Sequence, residues 1–334
     1  MAFSSPLIAA AARCSGADRR AVGAMARSLV EPAHRPAPGR AAPSILNNDG
    51  LPLQLCVSSR AERVSVRLIG DPCTGIADPM ERVGRSIERL SAVLRWSGAQ
   101  GLAQPARSTV EETLPADDSS RRALVHGGLW LAVDACGRPG IALYTTLDWG
   151  DERRTERWGR VRAWLRRLLR DDTQPTALLR SLALLGWPVS AGLEGSSAAD
   201  AVAKVYLCLD HPQTPDRLGI DAFRDPQLTD FYERTLAGRP LPPTGVVLCV
   251  AFSLSTGQLA SVKLDICGHC VPQAPEDWRD TVDLWAGRLG VRPLSVRPLL
   301  DGSPVEVAFI GLGSTGRSRY RLNLYLKAAA AAPA

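Results

Sequence analysis

The sequence predicts an α+β fold in which ten antiparallel strands, arranged as five hairpin repeats, close into a barrel surrounded by an outer ring of helices. Two observations carry this. A strand–turn–strand pattern recurs five times, at 51–70, 129–148, 187–210, 245–267 and 305–327. The second strand of each pair also alternates between an apolar face and a polar or charged one. The turns hold Ser-Arg, Cys-Gly-Arg-Pro-Gly, Gly-Ser-Ser, Ser-Thr-Gly and Gly-Ser-Thr-Gly, residues that tolerate hairpin geometry.

Helical spacing of apolar residues fills the gaps. It predicts helices over 79–96 and 152–170, with further candidates at 175–185, 226–236 and 276–289 and a short helix near 18–29. Val64, Val66 and Leu68, Val205, Leu207 and Leu209, and Leu322, Leu324 and Leu326 exemplify the apolar face that these helices would cover. The other face carries Arg67, Tyr144, Lys204, Tyr206, Lys263, Asp265, Arg321, Tyr325 and Lys327. Closure removes the sheet edges and turns that second face into a polar, cationic, tyrosine-lined lumen. The organisation read from this is an N-terminal helix and Pro/Ala-rich linker (1–50), one barrel domain (51–328) and a tail (329–334).

The chain has three lysines, Lys204, Lys263 and Lys327, among 40 basic residues, and all three lie on inward faces of second strands. An ammonium is a compact point charge, unlike a guanidinium fork, so its placement carries information. Chance placement is the plain alternative.

This set of features resembles the soluble aromatic prenyltransferases of the ABBA type, which include the dimethylallyltryptophan synthases, the bacterial phenol prenyltransferases and the cyanobactin prenyltransferases. The resemblance runs from about residue 50 to 328 and rests on Lys204-Val205-Tyr206, Arg67, Lys263, Tyr325 and the closing segment GLGSTGRSRYRLNLYLKA. It implies transfer of a dimethylallyl or geranyl group from its diphosphate to an aromatic or peptide-derived nucleophile, as in natural product biosynthesis. The chain departs from the pattern at Asp265, where a shielding tyrosine is common, and at Ala142, where a cation is expected. Gln54, Cys56 and Ser58 occupy the strand on which the dimethylallyltryptophan synthases carry a glutamate as acceptor base, a departure that argues against an indole gripped in the same manner.

The chemistry needs cations on the departing diphosphate, for which Arg67, Lys204, Lys263, Arg321 and Lys327 are candidates. It also needs aromatic faces to shield the allyl cation from water. Tyr144, Tyr206 and Tyr325, three of the chain's five tyrosines, stand at matching positions. A carboxylate should take the acceptor's proton. Asp134, Glu194 and Glu306 have the right parity and Glu306 is preferred, with a structural ion pair as the equal alternative. Trp130 would stack on the acceptor or plug one end of the barrel. No resident metal is expected; Mg2+ could accompany the diphosphate, with Asp265 as its contact.

Three motifs are set aside. Gly311-x-Gly313-x-x-Gly316 is followed by a strand pattern where a dinucleotide site needs a helix. Cys267-Gly-His-Cys270 lacks a helix start for redox work and a second ligand pair for zinc. The eight arginines of 153–170 flank an apolar stripe, and a net charge of +6 with interleaved acids is modest for a nucleic-acid partner. The remaining cysteines read as free thiols. No apolar run has membrane-spanning length and the start lacks a basic secretion leader, so the expectation is a cytoplasmic bacterial enzyme without nucleic-acid or membrane partners. A non-catalytic binding barrel and a scaffold with a plugged lumen remain alternatives.

Overall fold

A computed structural model describes residues 5–30, 44–47, 49–122, 124, 127–149, 154–271, 273–294, 300, 304–315 and 319–329. Most of the expected linker (31–43) and the end of the expected tail (330–334) lie outside these residues. Ten strands form one closed antiparallel barrel: β1 (Leu53–Ser59), β2 (Val64–Gly70), β3 (Leu129–Asp134), β4 (Ile141–Thr146), β5 (Gly186–Gly195), β6 (Val202–Leu209), β7 (Val246–Ser253), β8 (Leu259–Cys267), β9 (Val305–Ser314) and β10 (Tyr320–Ala328). Each strand pairs with its sequence neighbour, and β1 closes on β10 with Leu55 opposite Leu326. The fold class expected from the sequence is the one observed.

The helices cover the outer, apolar face of the sheet. They are α1 (Ser5–Ser15), α2 (Arg19–Leu29), α3 (Pro79–Trp96), α4 (Ala103–Thr113), α5 (Asp118–Arg122), α6 (Arg154–Leu168), α7 (Thr173–Leu182), α8 (Pro226–Leu236) and α9 (Pro275–Arg288). Outer-face residues such as Leu55, Leu68, Leu207, Leu264 and Leu324 are fully buried beneath them, each burial stabilising by about 1.5–3 kcal/mol. α3 and α8 start where an aspartate, Asp78 or Asp225, caps the backbone N–H of Met80 or Gln227 and a proline follows. Asp225 also accepts hydrogen bonds from Ser314 (2.9 Å) and Tyr320 (3.2 Å), which ties α8 to the last hairpin.

The arginine-rich α6 is an outer helix, as its stripe predicted. It buries Trp158, Val161, Trp164 and Leu165, and the Trp164 indole N–H donates to Thr109 of α4 at 3.1 Å. Its arginines pair with neighbouring acids: Arg154 with Asp210, Arg157 with Asp148, and Arg167 with Glu111 and Glu112. α1 and α4 were not foreseen, because small and short polar residues dilute their helical periodicity. α1 and α2 pack on the barrel wall and bury Leu7, Ala10, Ala11, Val22 and Leu29.

Bulges interrupt the strict alternation. One lies at Pro188/Ser190 of β5 and another opposes Tyr325/Leu326 of β10. The second places Phe309 opposite Tyr325 and Val307 opposite Leu326, so the parity read across 305–309 shifts by one residue.

Candidate active site

The polar faces of the strands meet inside the barrel, where they form two adjoining regions. At the first, Glu194 of β5 accepts from Arg67 of β2 and from Lys204 of β6. Arg321 of β10 stands close enough to feel both Glu194 and Arg67. Arg60, on the β1–β2 turn, joins the group. Burial and its neighbours Arg321 and Arg63 push its guanidinium below the ordinary value. Burial acts to raise the Glu194 carboxyl, but Arg67 and Lys204 hold it well below the usual carboxylate range. Among the described residues Glu194 thus faces Arg67, Lys204, Arg321 and Arg60, and this region carries an excess of positive charge.

The second region is a cavity of about 180 Å³ walled by Trp130, Tyr144, Tyr206, Phe309 and Tyr325, with Lys263 and Asp265 on one side. Lys263 of β8 pairs with Asp265 and donates to the Tyr325 hydroxyl at 2.9 Å. Its ammonium lies 5.3 Å and 5.2 Å from the ring centres of Tyr206 and Tyr325. Tyr144 and Tyr206 meet edge to face at 5.9 Å, and burial holds the phenols of Tyr144, Tyr206 and Tyr325 above their ordinary value, so they stay neutral. The three tyrosines therefore form an aromatic girdle of the cavity, with Tyr144 and Tyr325 close enough to feel the charged region.

Asp265 is 5% exposed. Its Oδ2 faces Lys263, while Oδ1 is buried without a hydrogen-bond partner among the described residues. Oδ1 has room only because residue 311 is glycine, since a Cβ there would stand 1.9 Å from it. A Cβ at Gly313 would come within 3.8 Å of both Lys263 and Arg321. The glycine run that imitates a dinucleotide motif therefore supplies lumen space opposite the long charged side chains.

Of the residues singled out from the sequence, the structure gathers Arg67, Lys204 and Arg321 around Glu194, and Lys263, Tyr144, Tyr206, Tyr325 and Trp130 around the cavity. It separates two others. Lys327 pairs with Asp49 (2.7 Å) and Glu306 (3.3 Å) at the end of β10. At about 3.3 Å per residue it lies about 20 Å along the strand from Arg321, too far to share one diphosphate. The Glu306 side chain is 51% exposed and lines no part of the cavity. Glu306 keeps the parity of Lys327, which it faces across the β9–β10 pair, so height along the strands corrects the expectation for both residues, while the bulge turns Phe309 inward.

Arg60, Phe309 and the segment Ile45–Asn47 were missed. Ile45 and Leu46 line the cavity, and the Asn47 amide oxygen accepts from Gln54 at 3.0 Å. These residues lie in a stretch with no periodicity to reveal them.

The donor set does not fit a resident Mg2+. Hard cations bind clustered oxygen ligands, whereas Glu194 and Asp265 each already face ammonium or guanidinium groups on their own side of the lumen.

No family model and no curated protein matches the chain. Solved structures do. 5-Dimethylallyl tryptophan synthase from Streptomyces coelicolor, solved with DMASPP and Trp, is 18% identical, covering 99% of this chain and 96% of its own at a TM-score of 0.76. 6-Dimethylallyltryptophan synthase from Micromonospora olivasterospora, also with DMASPP and Trp, is 17% identical over 97% and 95%, with a TM-score of 0.71. AnaPT from Neosartorya fischeri is 14% identical over 98% and 92%, with a TM-score of 0.71. Among the described residues no helix is long and apolar enough to cross a membrane. A closed ten-stranded barrel built from five hairpins, alike along nearly the whole of each chain, gives this protein the fold of the ABBA-type aromatic prenyltransferases.

Proposed function

We propose that the protein is an aromatic prenyltransferase that ionises an allylic diphosphate in its lumen and captures the allyl cation with an aromatic acceptor. The observation that carries this reading is the juxtaposition of a cationic cluster with a tyrosine-walled cavity. Arg67, Lys204 and Arg321, assisted by Arg60, hold the diphosphate. They stabilise the charge that grows on it as the carbon–oxygen bond breaks and the electron pair leaves with the oxygen. Lys263 bridges this cluster and the girdle.

Tyr144, Tyr206 and Tyr325 face the allyl cation, exclude water and stabilise it by cation–π attraction of about 0.5–2 kcal/mol per ring. The acceptor ring occupies the cavity against Trp130 and forms the new bond to carbon or a heteroatom. Its displaced proton goes to Asp265, the cavity carboxylate with an unpartnered oxygen, in place of Glu306. A dimethylallyl or geranyl donor and an aromatic or peptide-derived acceptor are the substrate classes this supports. The Streptomyces coelicolor and Micromonospora olivasterospora enzymes, whose structures hold DMASPP and Trp, favour dimethylallyl.

The ion pairs Arg67–Glu194 and Lys263–Asp265 favour the second reading, a plugged, non-catalytic barrel. Thermal unfolding with thiolodiphosphate analogues of dimethylallyl and geranyl diphosphate separates the two. At 100 times its dissociation constant the ligand should stabilise the native state by about 2.7 kcal/mol, in EDTA as well as in Mg2+. A plugged lumen gives no shift with either analogue.

With an accepted aromatic substrate, Asp265→Asn should retain that donor-induced shift while transfer falls by about 10²-fold or more. Unchanged turnover would remove Asp265 from the mechanism.

A further inference from the structure

The Cys267-Gly-His-Cys270 motif plays no part in the lumen chemistry, yet the fold builds it into a compact donor set. It forms a single 3-10 turn, Gly268–Cys270, at the end of β8. One ligand atom from each of Cys267, His269 and Cys270 lies within 4.8 Å of the others. The turn is held from both sides. A Cβ at residue 268 would stand 2.1 Å from the Val307 carbonyl oxygen of β9, so glycine lets the turn lie directly on that strand. The Val271 N–H closes the turn on the Gly268 carbonyl at 3.1 Å. Cys267 is buried, Cys270 is partly buried and His269 is exposed.

We propose that Cys267, His269 and Cys270 bind Zn2+, with a solvent molecule as the fourth ligand on the exposed side. Two sulfurs and one imidazole are soft and borderline donors that suit this ion. Tetrahedral bonds of about 2.0–2.3 Å put ligand atoms about 3.3–3.8 Å apart, which rotation of side chains on a fixed turn can reach from the present spacing. The sequence offers no second ligand pair, and here none is needed, because a three-ligand site with an open position requires only this turn. A dithiol–disulfide role fits less well. A reactive CxxC cysteine sits at a helix N-terminus, whereas α9 starts only at Pro275. On binding, the two thiols lose their protons to solvent and the metal joins the exit of β8 to the segment leading into α9. The site stands independently of the reading of the lumen.

Chelator-stripped, reduced protein titrated with Co2+ tests it. One equivalent should bind per chain with a thiolate-to-cobalt charge-transfer band, and Zn2+ should displace it and raise Tm. The band should be lost in Cys267→Ser/Cys270→Ser. It should need about tenfold more Co2+ in His269→Ala, whose exposed side chain makes that variant neutral for folding. Cys136→Ser, which removes an exposed thiol elsewhere, should behave as the parent protein. A spectrum without thiolate bands, equal binding by all variants, or a Cys267–Cys270 disulfide in protein that takes up no metal when reduced would each overturn the proposal.

Discussion

Lys204→Ala should lower prenyl transfer by about 10²–10³-fold, the loss seen when one preorganised donor to developing negative charge is removed. Lys204 is 5% exposed and contacts the carboxylate at the centre of the cationic cluster. The fold should survive, because Arg67 still pairs with Glu194. Lys263→Ala should be as inactive but less stable, since it strips Asp265 of its counter-ion. Steady-state turnover and donor-induced thermal shifts on both variants provide the check. Full activity in folded Lys204→Ala would dissolve the assignment of this cluster to the diphosphate.

Arg82→Ala should destabilise the protein by about 3–5 kcal/mol. Arg82 of α3 and Asp71 after β2 form a pair at 2.9 Å in which each residue is 1% exposed. Ser44 donates to the same carboxylate at 2.6 Å, and Gly127, at φ +87°, lies over the pair where a Cβ would come within 2.8 Å of both partners. Burial pushes the Asp71 carboxyl up to about 6 in spite of Arg82. A raised folded-state value means that protonation favours the folded form: this contribution is full below the unfolded value of about 3.9 and is lost as pH rises through 6. Removing Arg82 raises the cost of ionising Asp71 further, so the loss should be larger at pH 8 than at pH 5. Urea unfolding at the two pH values measures it, and an equal loss at both would show that the packing of α3, not the charge, accounts for the effect.

Much of the site was legible because strand alternation is a local rule. Once β6 and β8 are strands, Lys204, Tyr206, Lys263 and Asp265 must share a face, and barrel closure makes that face the interior. The same rule failed at Phe309. A bulge is one extra residue whose position depends on the partner strand, and the one opposite Tyr325 turned Phe309 inward. Parity also says nothing about height along the axis, which is why Lys327 was grouped with cations that lie far along the strand from it.

The sequence by itself determined the repeat, the hairpins and the inward placement of cations and tyrosines, because these follow from the two-residue period of the backbone. Only the tertiary structure decided which inward residues meet. Strand tilt, register and the glycines at 311 and 313 set Glu194 among Arg67, Lys204, Arg321 and Arg60, opened the space at Asp265 and closed the Cys267–Cys270 turn on β9. Those are contacts between residues far apart in the chain, and their distances are fixed by how the barrel closes, not by any local pattern.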